Sequence, residues 1–183
     1  MPDLLQVGNI SGRVECAVMP NAQYDFEDSS LFVVPPGRLD GSFMYGNTTL
    51  SIKQAPEKMR LAVNSGAEKE AYQPADSLAI YPRNTELTMK CENVLPRVLL
   101  DIGAECHAKW LEPLDLDRSD LERFIFFEPD LISANTARAL MELLNHEQPD
   151  TSDREHLMIE ALISVIAEQY LMRLEKVSNA QSQ

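Results

Sequence analysis

The apolar residues of this chain change their spacing once, and that change limits the fold more than any single motif. Up to about residue 112 they alternate with polar residues in short runs closed by turns. Leu50 and Ile52 alternate with Ser51 and Lys53. Met59, Leu61 and Val63 alternate with Lys58, Arg60 and Ala62, and Asn64-Ser65-Gly66 follows as a turn. Leu87, Met89 and Cys91 alternate with Glu86, Thr88 and Lys90, and Val98, Leu100 and Ile102 with Arg97, Leu99 and Asp101. Two further apolar runs end at turn residues, Leu31 to Val34 at Pro35-Pro36-Gly37 and Leu78 to Ile80 shortly before Pro82-Arg83-Asn84. A period of two puts every second side chain on one face of a strand. Short strands separated by turns fit an antiparallel sandwich or barrel.

From Leu131 the period becomes helical. Ile132, Thr136, Ala139, Leu140, Leu143 and Leu144 share one face of a helix predicted over Leu131 to His146. Gln148-Pro149-Asp150 ends it, because proline cannot continue a helix. Ser152-Asp153-Arg154-Glu155 then forms a capping box for a second helix, predicted from Asp153 to Val177. This helix carries two apolar stripes: Ile159, Leu162, Ile163, Ile166 and Tyr170, and Met158, Ala161, Val165 and Met172. One stripe is enough to dock on a sheet, so the second predicts a further partner. Met158, Ala161, Leu162, Val165 and Met172 are the candidate interface of a homodimer, with Ile159, Ile163, Ile166 and Tyr170 turned to the domain. The reverse assignment stays open, since periodicity gives faces and not partners, and so does cover of both stripes by the first helix and the connector within one subunit. The expected class is α+β: an antiparallel β-barrel or jelly roll over 1–112, a connector over 113–130, a helical hairpin over 131–178 and a flexible tail over 179–183.

The formal net charge of −13 works against contact with phosphate backbones, so this chain alone is expected to bind DNA poorly. No apolar run approaches the ~18–20 residues that cross a bilayer. Met1 to Ile10 lacks the basic flank and apolar core of a secretion signal. The three cysteines, Cys16, Cys91 and Cys106, form no Cys-x-x-Cys pair, which suits reduced thiols and a cytoplasmic location.

Little points to catalysis. His107, His146 and His156 fall in no metal-binding spacing, so neither a metal nor another cofactor is expected. Cys106 and His107 are adjacent, and neighbours on an extended strand point to opposite faces, which argues against a catalytic pair. There is no Gly-x-Ser-x-Gly elbow and no glycine-rich phosphate loop. Asp115, Asp117, Asp120 and Glu122 read as a solvated acidic connector. No catalytic residue is assigned, and the chain is not expected to be an enzyme. What remains is a pocket. The β region holds Tyr24, Phe26, Phe32, Phe43, Tyr45, Tyr72, Tyr81 and Trp110, with the cations Arg38, Arg60, Arg83 and Arg97. Aromatic walls with a few polar groups are how small-molecule sites are built. Tyr45, Arg60, Tyr72 and Trp110 are the candidate ligand contacts.

Two segments carry a resemblance. Tyr72-Gln73-Pro74-Ala75-Asp76-Ser77-Leu78-Ala79-Ile80-Tyr81-Pro82-Arg83-Asn84-Thr85 resembles the cupin strand–turn–strand pattern. Phe126-Phe127-Glu128-Pro129-Asp130-Leu131, followed by Ala139 to Leu144 and Glu160 to Ile163, resembles the helical pair that ends the N-terminal half of AraC-type transcription regulators. The match spans roughly residues 58 to 177. Metal-binding cupins place histidines ahead of the Pro-Ala-Asp segment and after the following turn. Here residues 44 to 72 hold none, and Glu86 or Leu87 stands after Thr85. The resemblance therefore implies a metal-free sensor barrel that binds a small effector and dimerises. It further implies that DNA is read by a helix-turn-helix half that this chain lacks. A metal-free cupin-like enzyme and a ligand-free interaction module are the alternatives.

Overall fold

The computed structural model describes residues 3–114, 125–145 and 153–181. The acidic residues Asp115, Asp117, Asp120 and Glu122, the break at Gln148-Pro149-Asp150, His146 and the capping Ser152 lie outside them. The described residues form β1 (Asp3–Val7), β2 (Ile10–Cys16), β3 (Ala22–Phe26), β4 (Ser29–Val34), β5 (Gly37–Tyr45) and β6 (Thr48–Lys53). They continue through β7 (Glu57–Val63), β8 (Lys69–Gln73), β9 (Ser77–Tyr81), β10 (Thr85–Val94), β11 (Arg97–Ile102) and α1 (Ala104–Leu111). Last come β12 (Ile125–Pro129), α2 (Leu131–Asn145) and α3 (Asp153–Gln181).

The strands make two six-stranded sheets: a front sheet ordered β1-β2-β5-β10-β7-β8 and a back sheet ordered β12-β9-β6-β11-β4-β3. Every pairing is antiparallel, among them Leu31 opposite Leu100, Phe43 opposite Leu87, and Leu50 opposite both Leu100 and Ile80. The pairs β4–β11, β5–β10, β6–β9 and β7–β8 nest inside one another and fall alternately in the back and front sheets. A long hairpin folded over in this way is a jelly roll, the double-sheet arrangement found in cupins, lectins and viral capsids.

The two sheets carry different sequence patterns because they have different neighbours. The front sheet has one face in water, so β7 and β10 alternate buried and exposed residues along most of their length. The back sheet is covered on both faces, and all six residues of β6 and all five of β9 are buried. On its outer face Leu31, Val33, Leu50, Ile52, Leu78, Ile80, Val98, Leu100 and Ile102 meet the helices. From α2 come Ala137, Leu140 and Met141, and from α3 Ile159, Ile163, Ile166, Tyr170 and Leu174.

Four expectations change. Residues 104–111, expected within the strand-rich region, form α1. The Asp28 carboxylate accepts the backbone N–H of Glu105 at 2.8 Å and of Cys106 at 3.0 Å, so a residue remote in sequence caps the helix. Gly103 precedes it because a Cβ there would run into Asp28. The end of the connector, Ile125–Pro129, joins the back sheet as β12 beside β9. The buried face of α2 is Ser133, Ala134, Thr136, Ala137, Leu140 and Met141, rotated from the expected one, and Ile132 is exposed. Small side chains at 133, 134 and 137 let the helix lie close on the sheet. Finally, α3 runs to Gln181, through most of the expected flexible tail, since no glycine or proline interrupts Ser178 to Gln181.

Hydrogen bonds tie the helices to the barrel. Asp130 caps α2 through the Ser133 N–H at 2.9 Å and hydroxyl at 2.8 Å. Its own N–H donates to the Asp76 carbonyl at 2.7 Å. Arg138 of α2 bonds the Asp76 carboxylate. Arg173 of α3 donates to Asp130 at 3.2 Å and to the Pro129 carbonyl at 2.9 Å, and pairs with Glu128. The two helices pack side by side; the chain that joins them lies outside the described residues. Among the described residues, no helix is long and apolar enough to cross a membrane.

Candidate functional site in the barrel interior

A strand buried on both faces must turn half of its side chains inward, whatever their polarity. In β6 and β11 the residues Leu50, Ile52, Val98 and Leu100 go to the helices. Their alternates Ser51, Lys53, Arg97 and Leu99 therefore face the barrel. The front sheet meets them with Val14, Phe43, Tyr45, Met59, Leu61, Leu87, Met89 and Cys91.

Within this apolar interior lies a charged cluster. Lys53, Glu57 and Arg97 are 0%, 4% and 6% exposed. Lys53 Nζ contacts the Glu57 carboxylate. Arg97 Nη2 donates to both Glu57 oxygens, at 2.9 and 3.3 Å, and the Leu95 N–H donates to the same group at 3.1 Å. Burial, reinforced by the nearby Arg97 guanidinium, pushes the Lys53 ammonium down to about 5. At neutral pH the Glu57–Arg97 pair then carries the charge and Lys53 is an amine. Burial also lowers Arg97, although guanidinium stays protonated in proteins. Tyr45 and Tyr81 lie 5.0 Å apart between ring centroids, tilted by 36°, and burial raises both phenols, keeping them neutral. Arg97 Nε is buried with no hydrogen-bond partner.

Beside this cluster is a cavity of about 70 Å³, walled by Leu39, Phe43, Tyr45, Tyr81, Met89 and Arg97 among others. Sites for drug-sized ligands run to ~300–1,000 Å³, so this space suits a molecule of only a few heavy atoms. Neutral phenols, a guanidinium and apolar walls can bind and orient such a molecule.

Of the four candidate contacts, only Tyr45 lines this cavity. Arg60 points outward from β7 and pairs with Glu68 at 3.5 Å in solvent. The inward residues of that strand are Glu57, Met59 and Leu61, so alternation sends Arg60 to the other face. Tyr72 is 58% exposed. It shares with Arg60 an open depression on the outer front sheet. Trp110 belongs to α1 and packs against the core between the back sheet and the helices. The four do not make one site. The interior polar residues outside those four follow the same rule of two: Lys53, Tyr81 and Arg97 in strands whose other alternates are apolar, and Glu57 in line with Met59 and Leu61 of β7.

A second, open cavity of about 710 Å³ lies at the barrel end, lined by Asn47, Arg83, Asn84 and His107 among others. His107 Nε2 lies 2.7 Å from the Tyr170 hydroxyl, and burial, with Arg83 nearby, pushes the imidazole down to about 4. Cys106 and His107 sit on α1 and not on a strand, which replaces the alternation argument applied to them. Cys106 is 1% exposed, and burial raises its thiol.

The side chains of Glu27, Asp28 and Cys106 come within metal-binding reach of one another at the α1 N-terminus. Asp28 already serves two helix amides there, and Glu27 pairs with Lys109 at 2.8 Å. For Asp28, burial alone would raise the carboxyl; the amide donors outweigh it and hold the group below its usual range.

On α3, Ile159, Ile163, Ile166, Ala167, Tyr170 and Leu174 are buried. Met158, Val165 and Met172 are 44%, 38% and 47% exposed, and Ala161 is exposed beside them. Leu162 is half-buried and, with Met158 and Ala161, lines an apolar groove against Ala139 and Leu143 of α2.

No protein-family model and no curated protein matches the chain. Among solved structures it is similar to the Schizosaccharomyces pombe Cnp3 cupin domain, at 17% identity and a TM-score of 0.34, over 57% of this chain and 68% of that one. It is also similar to a mutant of Bacillus subtilis oxalate decarboxylase, at 9% identity and a TM-score of 0.31, over 56% of this chain and 28% of that one. The strand order, and not these slight overlaps, makes the fold a jelly roll.

Proposed function

We propose that this chain is a non-enzymatic, effector-sensing and dimerisation module of an AraC-type transcription regulator. A small molecule binds in the jelly roll, two copies associate through α3, and DNA is read by a basic helix-turn-helix region that these residues do not include. The observation that carries this reading is the division of α3. One face is locked into the core by Ile159, Ile163, Ile166 and Tyr170, while Met158, Val165 and Met172 stand in water on another. Burying one such side chain is worth about 1.5–3 kcal/mol, so a few per subunit offset the cost of association. A two-fold pair of helices also supplies the symmetry that paired DNA half-sites require. The net charge of −13 supports DNA contact by another region.

Joined to a monomeric DNA-binding domain in a reporter strain, the chain should confer dimer-dependent repression. Val165→Glu should abolish repression and give a folded monomer by light scattering and circular dichroism. A wild-type chain that remains monomeric at tens of micromolar, or a Val165→Glu variant that still represses, overturns the reading.

A further inference from the structure

We propose that the molecule taken up by the barrel is a short-chain monocarboxylate, its carboxylate accepting a hydrogen bond from Arg97 Nε and its apolar end lying against Phe43 and Met89. This rests on the reading of the jelly roll as a sensing module and names its ligand class.

Three observations converge on it. The first is an unused donor. Arg97 lines the cavity, its Nη2 is committed to Glu57, and its Nε is buried without a partner. A buried donor left unpaired is costly, and a carboxylate is the acceptor that guanidinium geometry matches best. The second is a shortage of acceptors. Lys53 and Arg97 both meet the single carboxylate of Glu57. The other charge-bearing groups facing them, Tyr45, Tyr81 and Cys91, are weak acids, and burial holds both phenols neutral. The third is size. A cavity of about 70 Å³ lies far below the ~300–1,000 Å³ of drug-sized sites. That admits a carboxylate of about two to four carbons and excludes a sugar or nucleotide without rearrangement. Aromatic and aliphatic walls favour an alkyl tail over a second polar group.

The test uses the whole chain. Acetate, propionate, butyrate and hexanoate are titrated against 15N-labelled protein at constant ionic strength and pH, with propionamide as the uncharged isostere of propionate. The expected result is saturable binding of propionate or butyrate, with a dissociation constant on the order of 1 mM. Hexanoate and propionamide should each bind at least about tenfold more weakly. Amide shifts should centre on Tyr45, Tyr81, Arg97 and Leu99. Arg97→Met should lose at least about tenfold in propionate affinity. Should that variant fail to fold, the propionate–propionamide ratio on wild-type protein decides alone. Equal binding of acid and amide, absence of saturation throughout the series, or shifts that map outside the barrel would each overturn the proposal. Dimerisation through α3 is measured separately by light scattering, so loss of one result leaves the other readable.

Discussion

The back sheet presents two faces to two very different interiors. Toward the helices it shows mostly carbon: Leu31, Leu50, Ile52, Leu78, Ile80, Val98 and Leu100 packed on Leu140, Ile163 and Ile166. Toward the front sheet the same strands show Ser51, Lys53 and Arg97. Both faces are dry, but they answer to different physics. The helix side gains from every methylene buried and has no geometry to satisfy beyond packing. The barrel side must satisfy each charge it holds, because a buried ion without its partner costs more than most apolar contacts return. A wall built only for stability would be carbon on both sides. The charged lining of one side is therefore where function is to be sought.

Removing the keystone of the charged side should have the largest effect. Glu57→Gln strands Arg97 and should cost about 3–5 kcal/mol in urea unfolding. If it costs less than Leu100→Ala on the carbon side, expected at ~2–5 kcal/mol, the two faces differ less than described.

Lys53→Met should act in the opposite direction, raising stability by roughly 1 kcal/mol while the Glu57–Arg97 pair stays intact. The gain should depend on pH. Lys53 titrates at about 5 when folded against 10.5 when free, so the unfolded chain alone takes up its proton between those values. The wild type therefore gains stability as pH rises through that window. Unfolding midpoints compared from about pH 6 to about pH 9 should show the variant's advantage shrinking; a constant advantage would mean that Lys53 is held charged by Glu57.

A milder pH effect belongs to the helix side. His107 titrates at about 4 in the fold against 6.5 when free, so acidification through that interval favours the unfolded chain. His107→Gln should flatten this part of the stability profile. Smallest of all, Arg60→Ala breaks one solvent-exposed pair and should change stability by less than about 1 kcal/mol, with no change in propionate affinity.

The contrast between the faces also explains what the sequence could tell. The alternation of Leu50 and Ile52 with Ser51 and Lys53 marks a strand correctly, and its even spacing fits a two-sheet fold. Read by polarity alone, however, Lys53 and Arg97 belong in water. Only the helices arriving on the other side reveal that the polar alternates face inward. For α1 the local sequence is suitable, but its cap, Asp28, is remote in sequence and leaves no mark next to the helix. β12 was hidden in the same way: Ile125 finds its partner at Ile80, and nothing nearby announces the pairing. The two C-terminal helices were legible as helices because their periodicity is carried within each segment, although the face that α2 buries was not. The ligand site was not, because it is assembled from β5, β9, β10 and β11 at once, and aromatic content alone cannot separate Tyr45 from Tyr72.

β6 and β11 are flanked by a paired strand on each side and covered on both faces. Amide protons escape to solvent only when the structure around them opens, and for these two strands no partial opening suffices. Their deuterium uptake should therefore be the slowest in the chain, reporting global unfolding, while the edge strands β1 and β3 exchange on far shorter times. Lys53 and Arg97 sit at the ends of these two strands. The charged lining is thus anchored in the part of the molecule that keeps time most slowly, and a ligand that enters and leaves quickly meets a surface that does not rearrange between visits.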